Sequence, residues 1–320
     1  MTQVVKKDQA ALPYVPFQGK GLDFKIASDY DPDAEVVYYH GDCLDLLSRV
    51  PNHSVQLCIC SPPYNIGKPY EKKIDIEDYK KKQDEVISKC LDKLTDNGSI
   101  CWEVGNYVEN SHIVPLDVLL YPLFVKHEGV KLRNRIIWSF GHGMHASKRF
   151  SGRYETILWF TKSDNYIFDL DAVRVAQKYP YKKYFRGPRK GELSGNPLGK
   201  NPTDVWEIPN VKANHPEKTI HPCQFPVELV ERLVLALTDK KGVVLDPYMG
   251  VASSAIASLM HGRKVIGAEM RADYVKIGKT RLVKLRNGEL KVRPMWRQIP
   301  APLPRIKQPV GDYGTLDKLG

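Results

Sequence analysis

The stretch VQLCICSPPYN, residues 55–65, decides the fold class. Residues 55–60 are nearly all apolar, as in a central strand covered on both faces. Pro62 and Pro63 lack the N–H groups that a ladder needs, so the strand stops and the chain turns there. In an open α/β sheet such a turn lies where ligands bind, beyond the strand's carboxyl end. The proline pair fixes the backbone so that the Pro62 carbonyl can point into the crevice. Ser61 offers an oxygen acceptor and Tyr64 a ring face. Two acceptors and a stacking face fit a planar base that carries an amino group. An ordinary Pro-Pro turn would contain the same residues, so the rest of the chain must arbitrate.

Working outward, residues 36–39 (VVYY) form a strand that runs into the turn His40-Gly41-Asp42. Helices are expected over 45–50, ended by Pro51, and over 77–94, stopped by Asn97-Gly98. A strand at 99–104, a helix at 114–127 and strands at 135–140 and 155–161 follow. Beyond Lys162 the character changes. Seven Lys or Arg and no acid lie between Arg174 and Lys190, interleaved with Tyr179, Tyr181, Tyr184 and Phe185. Regular structure resumes with a helix at 226–238, a strand at 243–245, a helix at 252–261, a strand at 264–267 and a helix at 274–286. Strands alternating with helices predict a mainly parallel, doubly wound sheet, interrupted by the basic block. The units expected are an arm at 1–34, two halves of one α/β domain at 35–162 and 219–286, an inserted region at 163–218, and a basic tail at 287–320.

The second chemical signal is Asp246-Pro247-Tyr248-Met249-Gly250, directly after the strand at 243–245. A strand, a tight turn and a helix opening on Ala252, Ser253, Ser254 and Ala255 make the geometry of nucleotide-type cofactor binding. About 20 residues on, Glu269 follows another strand and can accept both hydroxyls of a ribose. A plain βαβ turn with a surface glutamate is the blander reading, and the spacing favours the cofactor. The glycine pattern of dinucleotide sites and the phosphate loop of ATPases are both missing, as is any metal-spaced cluster.

The 320 residues suffice for one large α/β domain with an inserted module, and the net charge of +11 favours a partner that carries phosphates. The six cysteines, Cys43, Cys58, Cys60, Cys90, Cys101 and Cys223, include no C-x-x-C pair. They read as reduced and structural, in a cytoplasmic chain without zinc. No sustained apolar stretch marks a secretory leader or a membrane span.

Together, SPPYN, the basic middle segment, the element with His221, Pro222, Phe225 and Pro226, and then D-P-Y-M-G resemble the amino-methyltransferases of DNA. The catalytic motif precedes the cofactor motif, which resembles the permuted β group of that family. The resemblance covers roughly residues 35–285. It implies a Rossmann-like methyltransferase sheet, circularly permuted, with an inserted target-recognition region. It implies S-adenosylmethionine as methyl donor, double-stranded DNA as partner, and an exocyclic amino group of a flipped-out base as target. It allows a homodimer and a cognate restriction endonuclease. Ser61, Pro62, Pro63 and Tyr64 become the catalytic loop, with Tyr64 contributing stacking alone. Asp246, Pro247, Tyr248, Gly250 and Glu269 become the cofactor site, helped by His221, Pro222 and Phe225, with Asp42 near the adenine. Arg149, Arg153, Lys182, Lys183, Arg186 and Arg189 become DNA contacts, although for each a solvated surface charge is equally good.

Two departures stand out. Where the family often has D-P-F-x-G-x-G-T, this chain has Ala252 and Ser253, both small. Ser61 replaces the aspartate usual in adenine enzymes, which favours cytosine N4 over adenine N6. Methylation of structured RNA or of a protein glutamine, and a catalytically dead DNA-binding module, are the remaining readings. The basic insertion argues against the glutamine, and the intact Ser61-Tyr64, Asp246 and Glu269 argue against the dead module. The cysteines lack the Pro-Cys loop of carbon-5 methylation.

Overall fold

The computed structural model describes residues 21–295, apart from residues 69, 70, 110, 111, 142, 144 and 180. The chain runs β1 (Ile26–Ala27), β2 (Val36–His40), α1 (Cys43–Leu47), β3 (Val55–Cys60), α2 (Ile76–Lys93) and β4 (Leu94–Val104). A hairpin of β5 (Asn106–Glu109) and β6 (His112–Pro115) leads to α3 (Leu116–Val125), β7 (Lys131–Ser139) and β8 (Tyr154–Thr161). β9 (Val205–Glu207), α4 (Val227–Leu237), β10 (Val243–Asp246), α5 (Ser253–Met260), β11 (Lys264–Glu269) and α6 (Ala272–Arg286) complete it.

The main sheet has the order β1-β2-β11-β10-β3-β4-β8-β7-β9. All strands are parallel except β8, which runs against β4 and β7. The doubly wound reading therefore holds, with one reversed strand. Alternate residues feed two cores, as the pleat demands. Leu57 and Ile59 of β3 and Val244 of β10 join Leu233, Ile256 and Leu282 of α4, α5 and α6. Cys58 and Cys60 of β3 and Leu245 of β10 join Leu46, Val86 and Leu120 of α1, α2 and α3. Both faces are covered, which is why β3 tolerates no polar alternation.

Several boundaries move. α1 starts at Cys43 rather than at residue 45, because the Asp42 carboxylate accepts the Leu44 N–H at 2.8 Å and caps the helix. α2 ends at Lys93 and passes straight into β4, so Asn97-Gly98 lies inside a strand. Pairing of Leu94 with Val55 of β3 outweighs the local turn preference. The helix expected from residue 114 begins at Leu116, since β6 pairs with β5 up to Pro115. Ala252 is no helical residue: it takes a left-handed conformation, φ 67°, before α5. That is the conformation a family glycine would adopt without strain.

The arm and the tail are also shorter than expected. Phe24 is buried under the Arg286 guanidinium, which donates to the Phe24 carbonyl at 2.6 Å, and β1 extends the sheet edge. Residues 21–34 thus belong to the domain, and residues 1–20 lie outside the described residues. Arg293 and Met295 are buried; Arg293 donates to Glu217 through its N–H at 3.1 Å and pairs with Glu228. Residues 287–295 are therefore part of the body rather than a tail, and residues 296–320 lie outside the described residues. The inserted region is not wholly separate either. β9 joins the sheet beside β7, and Trp138 Nε1 donates to the Ile208 carbonyl at 2.7 Å.

One close approach ties α6 to the cofactor-side turn. A Cβ built on Gly278 would lie 2.3 Å from the Tyr38 hydroxyl, which itself donates to the Gly250 carbonyl. Alanine at position 278 would gain up to about 1 kcal/mol of helix propensity. Overpacking a tight core costs about 1–3 kcal/mol, so the clash should win. Chemical denaturation of Gly278→Ala should show a net loss of stability; a gain would mean that Tyr38 can move aside freely.

Candidate active site

β3 and β10 are neighbours, with Leu57 opposite Val244 and Cys58 opposite Leu245. Their onward connections leave in opposite directions, β3 to β4 and β10 to β11. The crevice at such a switch point is where an open α/β sheet binds ligands. A cavity of about 570 Å³ occupies it. Ser61, Pro62, Pro63 and Tyr64 line one side of this cavity. Asp42, His221, Phe225, Pro247, Tyr248, Gly250 and Glu269 line the other. The structure thus brings together the two motifs that lie almost 190 residues apart in the chain, as read from their numbers.

Two predicted residues do not face the cavity. Asp246 is wholly buried, and its carboxylate accepts the Tyr248 N–H at 3.0 Å and the Ser254 hydroxyl. It shapes the turn rather than its lining. Burial pushes its pKa up to about 7. Pro222 is likewise absent from the walls, while its neighbours Cys223 and Gln224 are present. Cys223 is the exposed thiol, against the expectation that all six are structural; the other five are buried and free.

Glu269 sits at the carboxyl end of β11. It accepts the Arg271 N–H at 2.7 Å and an N–H from Gly250, so it joins the two loops. Burial raises its pKa. His221 packs its ring 4.5 Å from that of Tyr274, and its Nδ1 accepts the Cys223 N–H at 3.2 Å. Burial lowers its pKa to about 4, so it is a neutral imidazole near pH 7. This side of the cavity offers carboxylate acceptors at Asp42 and Glu269 and apolar walls at Phe225 and Tyr248. Those groups suit the hydroxyls and the flat rings of a nucleoside.

The SPPY side is more elaborate than its motif suggests. The Tyr64 hydroxyl donates to Glu103 at 2.8 and 2.9 Å and lies 3.2 Å from Ser61 Oγ. Ser61 also hydrogen-bonds Glu103, and Glu155 on β8 hydrogen-bonds it from the next strand. Tyr64 is therefore not a bare stacking surface; its hydroxyl is anchored to a buried carboxylate. The Pro63 carbonyl accepts from the Tyr79 hydroxyl at 2.9 Å. Among the described residues, the Pro62 carbonyl has no such partner. Asn65, at φ 60°, exchanges two hydrogen bonds with Ile74, and Glu71 accepts the Asn65 and Ile66 N–H groups, which fixes the loop's exit.

Glu103 and Glu155 escaped the sequence reading. The signal for Glu103 was a charge inside the apolar run 99–104, where only a paired group is tolerated. Glu217 escaped it too: its carboxylate accepts the Val227 N–H at 2.9 Å and caps α4, which has no side-chain cap of its own.

The basic residues lie apart from the cavity walls. Arg149 is exposed and Arg153 half-buried, both on the loop between β7 and β8. Lys182, Lys183, Arg186 and Arg189 are all exposed. Arg189 pairs with Glu192 at 3.0 Å and lies over the Tyr184 ring. Among the described residues no group of side chains suits a metal ion, and no helix is long and apolar enough to cross a membrane.

A family model described as DNA methylase, covering N6 and N4 amino-methylation, matches residues 55–280. The chain belongs to this family. It is 48% identical over 240 residues to the type II methyltransferase M.BglII of Bacillus subtilis, a match covering 75% of this chain and 66% of that relative. It is 34% identical over 252 residues to the DNA adenine methyltransferase YhdJ of Escherichia coli K12, covering 76% and 81%. Among solved structures, the cytosine-N4-specific PvuII DNA methyltransferase superposes with a TM-score of 0.63 at 18% identity, covering 88% of this chain and 96% of that one. M1.HpyAVI in complex with SAM superposes at 0.54 and 19% identity, covering 77% and 98%. This DNA methylase is an S-adenosylmethionine-dependent DNA amino-methyltransferase. The cavity and its acceptors fit that cofactor.

The acid pair gives this DNA methylase a pH signature. Burial, then the charge of Glu103, pushes the Glu155 pKa well above the ordinary glutamate value of 4.5. Folding therefore favours the protonated form. The stability that this proton contributes is present at acid pH and is lost as pH rises through the raised value. In Glu155→Gln a permanent amide donor replaces the titrating one. Its melting temperature should fall less than that of the wild type as the pH rises above the ordinary glutamate value of 4.5. Parallel pH curves for the two proteins would show that Glu155 does not hold the proton.

Proposed function

We propose that this methyltransferase modifies the N4 amino group of cytosine in double-stranded DNA, after flipping the base out of the stack. The observation that carries the reading is the opening of the Ser61–Tyr64 loop and the Asp246–Gly250 turn onto one cavity. By this reading Asp42, His221, Phe225, Tyr248, Gly250 and Glu269 hold the cofactor, with Asp246 and Pro222 acting behind them. Ser61 to Tyr64 hold the target base.

When bound, S-adenosylmethionine supplies an electrophilic methyl group. The protein's part is orientation and placement of dipoles. Glu103 accepts hydrogen bonds from the Tyr64 hydroxyl and from Ser61, so the Ser61 lone pairs are left to face a ligand. With the unpartnered Pro62 carbonyl they form two acceptors for the two hydrogens of an amino group. Those bonds turn the nitrogen lone pair toward the donor methyl. Glu103, lying behind the loop, lends negative potential where positive charge grows on the nitrogen.

Ser61 in place of a carboxylate supports cytosine. The adenine-specific name of the Escherichia coli relative supports adenine N6 as the second reading. The block between Arg174 and Lys190 and the loop between β7 and β8 are the proposed DNA contacts, within a recognition region at 163–218. Such an enzyme would act in the cytoplasm, alongside a cognate restriction endonuclease.

Two measurements test this. DNA incubated with methyl-labelled cofactor and digested to nucleosides should yield N4-methyl-2′-deoxycytidine. Recovery of N6-methyl-2′-deoxyadenosine alone would move the assignment to adenine, and label on carbon 5 of cytosine would overturn it. Separately, Glu269→Ala should weaken cofactor binding by about 1–3 kcal/mol in calorimetry, the cost of losing charge-assisted hydrogen bonds. Unchanged affinity would remove Glu269 from the site.

A further inference from the structure

Phe150 is the most exposed large apolar side chain among the described residues, at 101% of its full surface. A single exposed ring is ordinary on a protein surface; what gives this one meaning is its place on a structured loop. It sits on the loop between β7 and β8. β8 begins where β4 ends, with Thr156 opposite Val104, and β4 runs parallel to β3. The loop therefore rises from the same end of the sheet as Ser61 and the cavity.

The loop is built, not slack. Phe140 anchors its base: its ring lies 5.2 Å from that of Trp138, and its N–H donates to the Arg153 carbonyl at 2.9 Å. Higher up, the Ala146 N–H donates to Ser151 Oγ at 3.0 Å and closes a short tip. That tip is Ser147-Lys148-Arg149-Phe150, and all four residues are exposed. Two cations thus stand beside one bare ring. In the basic block the aromatic rings have cations over them: Arg186 over Phe185 at 5.7 Å, Arg189 over Tyr184 at 4.6 Å and Lys178 over Tyr179 at 5.5 Å. Among the described residues no cation lies over Phe150.

We propose that Phe150 is a wedge that enters the base stack of duplex DNA beside the target and fills the gap that the flipped base leaves, while Lys148 and Arg149 grip the flanking phosphates. Apolar side chains inserted between base steps trade one stacking surface for another. An extruded base leaves such a gap, and a planar ring of the right size lowers the cost of holding it open. The cations beside the ring fit a polyanion and would repel a basic protein surface. The proposal rests on the base-flipping reading above.

The test uses the whole chain and two short duplexes built on the sequence that the wild type labels in unmodified plasmid DNA. One duplex is fully paired. In the other, the nucleotide opposite the target is abasic, so extrusion is already easy. Phe150→Ala should lower kcat/KM on the paired duplex by roughly tenfold to a hundredfold, the range expected for losing one base–aromatic stack. On the abasic duplex it should come within about threefold of the wild type, because little extrusion cost remains there. Phe150→Leu should recover most of the loss on the paired duplex, and cofactor affinity should be the same for all three proteins. Equal losses on both duplexes, or no loss on either, would overturn the wedge while leaving the methyltransferase reading intact. A wild type that labels no DNA would instead overturn that underlying reading.

Discussion

The parallel pairing of β3 with β10 is the constraint on which everything else hangs. Each strand is apolar on both sides because helices cover both faces of the sheet. Each ends in residues that cannot extend a ladder, Pro62 and Pro63 in one case and Pro247 in the other. The chain leaves the two ends in opposite directions, so a crevice opens between them. A slip of one residue in this register would turn Leu57 and Val244 to the wrong core and separate the two loops.

Around that crevice buried and half-buried carboxylates divide the labour. Asp246 and Glu217 are spent on backbone N–H groups, shaping the cofactor-side turn and the start of α4. Glu269 bridges the loops after β10 and β11. Glu103 and Glu155 stand together behind Ser61 and Tyr64, where only one of them can readily be charged. Asp246, Glu217, Glu269 and Glu103 each accept hydrogen bonds, and Glu155 shares its hydrogen bond with Glu103. Burial favours the neutral form of both acids, and the charge of Glu103 pushes Glu155 further toward holding a proton.

The surface complements this interior. Lys148 and Arg149 stand on the loop between β7 and β8, and Lys182, Lys183, Arg186 and Arg189 in the inserted region, all exposed and none on the cavity walls. β9 keeps the two in register. It pins the end of the inserted region to β7, one strand from β8 and Glu155.

The amino-acid sequence by itself determined the class of fold, the family and the two motifs. Those are local facts: an apolar run, a proline pair, an Asp-Pro-Tyr turn and their order along the chain. The helix at α2 and the strand β3 were legible because their periodicity spans many residues. What depended on partners far along the chain was not legible. Asn97-Gly98 reads as a turn until β3 pairs beside it, and Ala252 reads as helical until the turn before α5 forces it left-handed. Tyr64 reads as a stacking ring until Glu103, on the neighbouring strand, accepts a hydrogen bond from its hydroxyl. Asp246 reads as a cofactor ligand until folding turns its carboxylate onto Tyr248 and Ser254. A motif names the residues at a site; which way each side chain turns is decided by the donors and acceptors that the sheet brings beside it.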